Sequence, residues 1–203
     1  MAKVKVTKKE ADRMMKVNGK VNGSLLNANF QFVLNKKGEK GIKTVEERLK
    51  ELGYPLKFKE VSDFKWYPCG FSALITLAIL EYFGWDESKA FEIARYGPVY
   101  SVVSKLFIKY MVSLDKILKE VPNYWQKHFD FGEMKCPKYD EKKKYAILRI
   151  YGYKKCHPLD YILIKGYLSR IFELGTGSKN VKVEQTKSLY HNDPYDEFKI
   201  TWQ

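Results

Sequence analysis

The chain has 203 residues, 45% of them hydrophobic and 15% aromatic, which is enough for one sizeable core. No low-complexity linker divides it, so a single domain is predicted, and no apolar run reaches the roughly 20 residues of a membrane-spanning helix. The net charge of +13 comes from 32 Lys and only 5 Arg against 24 acidic residues. This diffuse, lysine-based charge disfavours nucleic-acid binding, which is kept as a minor alternative.

Three cysteines, Cys69, Cys136 and Cys156, are scattered along the chain without a Cys-x-x-Cys spacing. An odd and dispersed set argues against a disulfide framework and against a dedicated zinc knuckle. The N-terminus is rich in lysine and has no apolar signal core. These features predict a cytoplasmic protein in a reducing compartment.

The N-terminal quarter is predicted to be a basic arm followed by helices. Residues 1–22 lack a sustained apolar period and contain Asn-Gly turn signals, so a weakly ordered arm is expected, with residues 23–203 as the domain. Residues 24–35 fit a strand or a helix, because their apolar positions match both periods in part. Thr44 and Glu47 form a capping-box pattern, which predicts that a helix starts there.

The middle of the chain is predicted to be a helical bundle. Trp66-Tyr67-Pro68 leads into a helix over residues 71–83 that is apolar around most of its circumference, so it is expected in the centre of the fold. Gly84 ends this helix. Gly97-Pro98 is predicted to start a further helix with one apolar face over residues 99–110.

Two short helices are predicted next. Ser113 is expected to cap a helix over residues 114–121, and Pro122 fits the first turn of the helix that follows. Spacings of three and four residues place four rings of this second helix on one face. These rings belong to Tyr124, Trp125, His128 and Phe129.

The C-terminal third changes to a strand period. Residues 144–151 alternate as a strand, and His157-Pro158 opens a long helix that is stopped by Gly175 and Gly177. Residues 181–202 form two alternating segments around an Asn-Asp-Pro turn, which predicts a half-buried hairpin. The predicted class is α+β, an N-terminal helical bundle packed on a small antiparallel sheet with a C-terminal β-hairpin.

The sequence resembles a known group of sensor domains. The hairpin ending Asp-Pro-Tyr-x-Glu-Phe, the Trp66-Tyr67-Pro68 helix entry, the Tyr124-Trp125 pair and the His157-Pro158 helix occur in the same order in V4R (4-vinyl reductase-like) domains and their heme-NO-binding-like relatives. The resemblance covers residues 24–203. It implies the fold of NO-signalling and Golgi-transport proteins, and it favours a helix over residues 24–35.

The resemblance also bears on cofactors. Several members carry two cysteines in the C-terminal hairpin that hold zinc, and Ser188 and Asp196 stand at those positions here, so no metal is predicted. Heme-binding relatives use an axial histidine and a Tyr-x-Ser-x-Arg clamp. The nearest string, Tyr167 to Arg170, has its arginine one residue early, a rotation of about 100° on a helix. His128 is a candidate axial ligand or a hydrogen-bonded core residue, and no cofactor is predicted.

The resulting prediction is a non-enzymatic sensor that holds a small hydrophobic or aromatic ligand between the helical bundle and the sheet. Aromatic side chains with a polar tip are typical of such sites. Any signal is expected to pass through a homodimer or a protein partner. The alternatives are a scaffold resembling vesicle-tethering subunits, whose interior is filled, and an accessory protein of tetrapyrrole metabolism. The predicted ligand-binding residues are Trp66, Tyr67, Trp125, His128, His157 and Tyr161.

Overall fold

A computed structural model describes residues 4–101 and 113–203. Its helices in chain order are α1 (Lys8–Met15), α2 (Gly23–Glu51), α3 (Gly70–Phe83), α4 (Ala90–Ala94), α5 (Gly97–Tyr100), α6 (Leu114–Lys119), α7 (Val121–Gln126) and α8 (Leu159–Thr176). Its strands are β1 (Lys20–Asn22), β2 (Trp66–Pro68), β3 (Glu133–Asp140), β4 (Tyr145–Tyr151), β5 (Val181–Lys187) and β6 (Asp196–Trp202).

The N-terminal residues differ from the weakly ordered arm that the sequence predicts. Helix α1 starts with a complete capping box, in which the Thr7 hydroxyl accepts from the Glu10 amide and the Glu10 carboxylate accepts from the Thr7 amide. Ala11 and Met14 are fully buried in the first hydrophobic core. The apolar period is only two turns long, so it was too short to be recognised against the surrounding lysines.

Helix α2 confirms the helix predicted over residues 24–35 but corrects the start predicted at Thr44. The helical run continues from Gly23 to Glu51 and is interrupted at Gly38, where φ is 63° and ψ is −163°. The Thr44 hydroxyl donates to the Lys40 carbonyl inside the helix and therefore caps nothing. The kink lies at the glycine because this backbone conformation is strained for residues with a Cβ.

The Trp66-Tyr67-Pro68 segment is a strand and not the start of a helix. It forms β2, which pairs antiparallel with β1, and α3 begins at Gly70. Helix α3 is buried over its first eleven residues except Ser72 and ends at Gly84 in the left-handed conformation, as predicted. Ser113 caps α6, also as predicted, whereas the helix predicted over residues 99–110 falls largely outside the described residues.

The C-terminal sheet is antiparallel with the strand order β3-β4-β6-β5. Strands β4, β5 and β6 confirm the predicted strand and hairpin, whereas β3 was not predicted. Strand β3 lies at the sheet edge, is mostly exposed, and has a register shift between Lys135 and Lys138 around Pro137. Such an edge strand carries little of the apolar alternation by which strands are recognised.

Two hydrophobic cores organise the described residues. The first joins α1, α2 and α3, and the second packs α6, α7 and α8 against the inner face of the sheet. On that face, Leu148 of β4 pairs with Phe198 of β6, and both side chains are buried. This arrangement confirms the predicted α+β class. No helix among the described residues is long and apolar enough to cross a bilayer.

An ion pair links the end of α4 to α8. Arg95, at the end of α4, donates from both terminal nitrogens to the Glu173 carboxylate of α8, at 2.7 and 2.8 Å. We expect Arg95→Ala to lower the free energy of unfolding by about 2 kcal/mol, because a paired and mostly shielded carboxylate loses its bidentate partner. Lys119→Ala is the control, since its pair with Asp115 is exposed and its loss is expected to change the free energy of unfolding much less. Urea unfolding measures both, and equal costs would contradict the prediction.

Candidate functional site

A cavity of about 120 Å³ lies where the two cores meet. Its wall is predominantly apolar, with a few polar side chains, which is the composition of a small-molecule site. We call it the His128 cavity. Its lining residues are Val21, Leu25, Asn29, Cys69, Ser72, Ala94, Gly97, Ile117, Val121, Tyr124, Trp125, His128, Phe129, Phe131, Met134, Leu148, Tyr153, Cys156, Asp160, Leu163, Ile164, Tyr167, Leu168, Ile171 and Phe172.

His128 is a polar residue of the cavity wall with one ring nitrogen that no described residue hydrogen-bonds. It follows α7, and its side chain is 2% exposed. The Nδ1 atom lies 3.1 Å from the Tyr124 carbonyl oxygen, whereas Nε2 is buried and has no hydrogen-bond partner among the described residues. Because the carbonyl can only accept, Nδ1 carries the proton and Nε2 presents a lone pair.

Burial also keeps this imidazole neutral. Desolvation lowers the pKa of His128 to about 4, against the opposing effect of the Tyr124 carbonyl. A neutral ring with a proton fixed at Nδ1 is the form that ligates metal ions or accepts a hydrogen bond from a bound molecule. The buried Nε2 lone pair is therefore available to a guest in the cavity.

Two tyrosines hold the imidazole in place. The Tyr124 ring lies 4.6 Å from the His128 ring, and the Tyr167 ring of α8 meets it edge-on at 6.1 Å. The hydroxyls of Tyr124 and Tyr167 are hydrogen-bonded to each other. Gly97 permits this packing, because a Cβ there would lie 2.6 Å from the Tyr167 ring. The sequence places Tyr124 near His128, but only the fold brings Tyr167 to them.

The cavity wall also contains a group of titratable side chains. Cys69 precedes α3, Cys156 precedes α8, and their sulfur atoms lie 3.2 Å apart. Asp160, in the first turn of α8, is 3% exposed, and its carboxylate accepts from the His157 amide at 3.1 Å. Burial raises the pKa of Asp160 to about 7 and raises that of Tyr153 well above its usual value.

The structure brings together two of the six predicted ligand-binding residues. Trp125 and His128 line the cavity, and the Trp125 indole also donates to the Phe131 carbonyl at 2.9 Å. The other four lie elsewhere. Trp66 is 41% exposed on β2, and the Tyr67 hydroxyl accepts from the Ser62 amide.

The two C-terminal candidates serve local structure. His157 accepts from the Leu159 amide through Nδ1 and so helps to start α8. The Tyr161 hydroxyl accepts from the Tyr190 amide, and the two rings pack edge-on at 5.0 Å. Neither His157 nor Tyr161 is part of the cavity wall as far as the structure is described.

The hairpin positions compared with a zinc-binding cysteine pair are engaged in hydrogen bonds. The Ser188 hydroxyl accepts from the Tyr190 amide, and Asp196 accepts from the Leu189 amide at 2.9 Å. Within residues 4–101 and 113–203, no group of three His, Cys, Asp or Glu side chains is arranged to hold a metal ion.

Comparison with known proteins identifies the fold. No family model and no curated protein matches the chain. A solved H-NOX (heme-NO-binding) protein from S. oneidensis, in its Fe(II)NO ligation state, has a TM-score of 0.65 at 10% identity, covering 90% of this chain and 99% of that chain. An oxygen-binding H-NOX domain related to soluble guanylate cyclases has a TM-score of 0.61 at 13% identity, covering 90% and 95%. These values support the heme-NO-binding side of the resemblance at the level of the fold, and membership among V4R domains stays a prediction.

This likeness corrects the prediction that no cofactor is bound. Solved structures of the same fold include the Fe(II)NO protein and one studied for porphyrin distortion and heme redox potential. The prediction relied on a linear Tyr-x-Ser-x-Arg string, but neither Ser169 nor Arg170 belongs to the described cavity wall. Ser169 accepts from Arg95, and Arg170 pairs with Glu173, both outside the described lining.

Heme can be tested against the residues present. His128 fits its iron, because Nε2 is free and the carbonyl contact at Nδ1 is the usual outer partner of a ligating imidazole. The cavity volume of about 120 Å³ resembles that of an engineered cavity of about 150 Å³ that takes benzene or xenon. A porphyrin is several times larger, so its entry requires the bundle and the sheet to separate. The described lining contains no Lys or Arg to meet the porphyrin carboxylates.

Proposed function

We propose that this chain is a small-molecule-sensing domain that binds its ligand in the His128 cavity. The observation that carries the proposal is the buried His128 Nε2, which has no partner in the part of the chain that the structure describes and lies in a predominantly apolar cavity. An unsatisfied buried acceptor costs about 1–3 kcal/mol, and a ligand that engages it removes that cost. The site therefore favours an apolar molecule with one electron-pair acceptor or hydrogen-bond donor.

The position of the cavity supports sensing over simple storage. Its wall is shared between the first core, through Val21 and Cys69, and the second core, through Trp125 and Ile164. A guest that fits only one arrangement of the two cores shifts the population toward that arrangement by its differential affinity. The change in packing would be passed to a second copy of the chain, or to another protein, through exposed helix faces. A scaffold with a filled interior is less favoured, because the interior contains a cavity.

Heme is the first ligand to test, because the fold holds it in other proteins. His128 would hold the iron through Nε2, and Tyr124 would keep the imidazole oriented through its carbonyl. If bound, heme would supply an iron able to bind a diatomic gas. A benzene-sized apolar molecule with a hydrogen-bond donor is the second ligand, which the present cavity volume favours.

The test uses the purified full chain, titrated with hemin and separately with phenol. Hemin is expected to give a shifted Soret band, and His128→Ala is expected to weaken its binding by at least roughly 100-fold, because the imidazole that would hold the iron is lost. Phenol is expected to raise the melting temperature, with a loss of about tenfold in affinity for His128→Ala, because one hydrogen bond is removed.

His191→Ala is the matched control, since His191 is exposed and lies outside the cavity wall. It is expected to bind both ligands like the unchanged protein. The proposal fails if neither ligand binds, or if binding is insensitive to His128→Ala. Binding of phenol without hemin would assign the chain to the apolar-ligand class.

A further inference from the structure

Two cysteines of the cavity wall lie in direct contact with each other. Cys69 and Cys156 are separated by 87 residues in sequence, yet their sulfur atoms are 3.2 Å apart. Both side chains are buried, at 3% and 6% exposure. A disulfide bond requires about 2.05 Å, so the two sulfur atoms must approach by only about 1 Å. The third cysteine, Cys136, lies on the edge strand β3 and has no thiol partner in the described structure.

We propose that Cys69 and Cys156 form a reversible intramolecular disulfide in response to a small hydroperoxide, and that this bond joins the segment before α3 to the segment before α8 at the wall of the His128 cavity. This bond formation is independent of the proposed sensing function. Only its effect on ligand entry depends on that function.

The two thiols have different roles. The hydrogen bond between the two sulfur atoms lowers the pKa of Cys69 and, together with burial, raises the pKa of Cys156. Cys69 is therefore the nucleophile and Cys156 the resolving thiol. By contrast, burial raises the pKa of Cys136 to about 11, so Cys136 holds little thiolate although its side chain is the more exposed.

The chemistry balances with hydrogen peroxide as the oxidant. The Cys69 thiolate attacks one peroxide oxygen, the O–O bond breaks, and the hydroxide that leaves takes up a proton to become water. Cys69 is then a sulfenic acid, oxidised by two electrons. The Cys156 sulfur attacks the Cys69 sulfur, the S–O bond breaks, and the S–S bond forms as the Cys156 proton leaves with the hydroxyl group in a second water.

Access explains why a small oxidant is required. Both cysteines are buried from bulk solvent but line the cavity. A cavity of about 120 Å³ admits hydrogen peroxide, whereas a tripeptide disulfide is too large to enter. The proposal is therefore restricted to small hydroperoxides and excludes direct exchange with bulky disulfides in the folded state.

The bond would stabilise the closed arrangement of the cavity. Cys69 immediately precedes α3, and Cys156 lies three residues before α8, so the linkage joins the two helices that begin at this wall. Closing a loop of this length restricts the unfolded chain strongly. The oxidised protein should melt roughly 10 °C higher than the reduced protein. If the proposed function holds, the oxidised protein should also bind hemin more weakly, because the bond would keep α3 and α8 from moving apart to enlarge the cavity.

The experiment uses the full chain carrying Cys136→Ser, reduced and then treated with hydrogen peroxide while folded. The intact monomer is expected to be 2 Da lighter. After alkylation and digestion, peptide mass spectrometry is expected to show a Cys69–Cys156 cross-linked peptide. A dithiol reductant is expected to restore both thiols. The mass readout requires no ligand, so its failure is separate from any failure of the sensing function.

Two further measurements separate this site from incidental oxidation. In Cys156→Ser, Cys69 lacks its resolving thiol and is expected to be trapped as a sulfenic acid by dimedone. In the unchanged protein, Cys136 is expected to stay alkylatable while the pair is oxidised. The proposal is overturned if both thiols of the pair survive peroxide in the folded protein, if cross-links form only between chains, or if Cys136 reacts first.

Discussion

Replacing Phe198 with alanine is expected to lower the free energy of unfolding by about 3–5 kcal/mol. Phe198 lies on β6, an interior strand of the sheet, where its side chain is 0% exposed and belongs to the second core. Removing the ring forfeits its transfer from water and leaves a void between the sheet and α8. Chemical unfolding in urea, with the slope checked for constancy, measures the change.

Phe64→Ala is the matched control, because the same residue type is 79% exposed there. It is expected to change the free energy of unfolding by at most about 0.5 kcal/mol. A cost below about 1.5 kcal/mol for Phe198→Ala would show that the inner face of the sheet is not packed as described.

Asp160 is expected to make the protein less stable as the pH rises from about 4 to about 7. Its carboxyl has a pKa raised to about 7 in the folded state, mainly by burial, against a usual value of 3.8. The folded protein therefore holds a proton that the unfolded chain releases, so the contribution is fully present below the unfolded pKa and is lost as the pH rises. The total change is about 4 kcal/mol.

Asp160→Asn is expected to remove this dependence, because the amide cannot ionise but can still accept from the His157 amide. At pH 8 the variant should be more stable than the unchanged protein, and at pH 4 the difference should be small or reversed. The exposed Glu141→Gln is the control and should follow the unchanged protein throughout. Parallel stability curves for Asp160→Asn and the unchanged protein would rule the prediction out.

His128 acts in the opposite direction over part of the same range. Its pKa is lowered to about 4, so its contribution is fully present above the unfolded value near 6.5 and is lost as the pH falls toward 4. In the unchanged protein, the pH-dependent contributions of Asp160 and His128 to the free energy of unfolding partly cancel between about pH 4 and pH 6.5. The difference between each variant and the unchanged protein therefore isolates the group concerned, whereas a single wild-type curve does not.

The site was partly predictable because some of its residues are close in sequence. Trp125 and His128 are three residues apart, so helical spacing alone places both on one side of the same short segment. Cys69, Cys156 and Asp160 gave no such signal. The two cysteines are 87 residues apart, and a scattered, odd set of thiols argues against pairing unless their positions in space are known.

The same distinction separates the elements that were predicted from those that were not. Strand β6 and helix α3 were predictable because alternation and an all-round apolar pattern are local consequences of which faces are buried. Strands β1 and β2 have three residues each and form only because they pair with residues 44 or more positions away in sequence. Strand β3 is an edge strand with a proline at its bulge. It is held as a strand by pairing with β4, because its own sequence lacks the apolar alternation of a strand.

The amino-acid sequence by itself determined the α+β class, the C-terminal hairpin, the central apolar helix and the pairing of His128 with an aromatic neighbour. Each of these follows from interactions within a few turns or strand residues, which a periodic pattern records. Only the tertiary structure decided that a cavity lies between two cores, that no described residue pairs with Nε2 of His128 there, and that Cys69 contacts Cys156 in its wall. Voids and unsatisfied atoms depend on how distant surfaces fit together, and no local pattern encodes that fit.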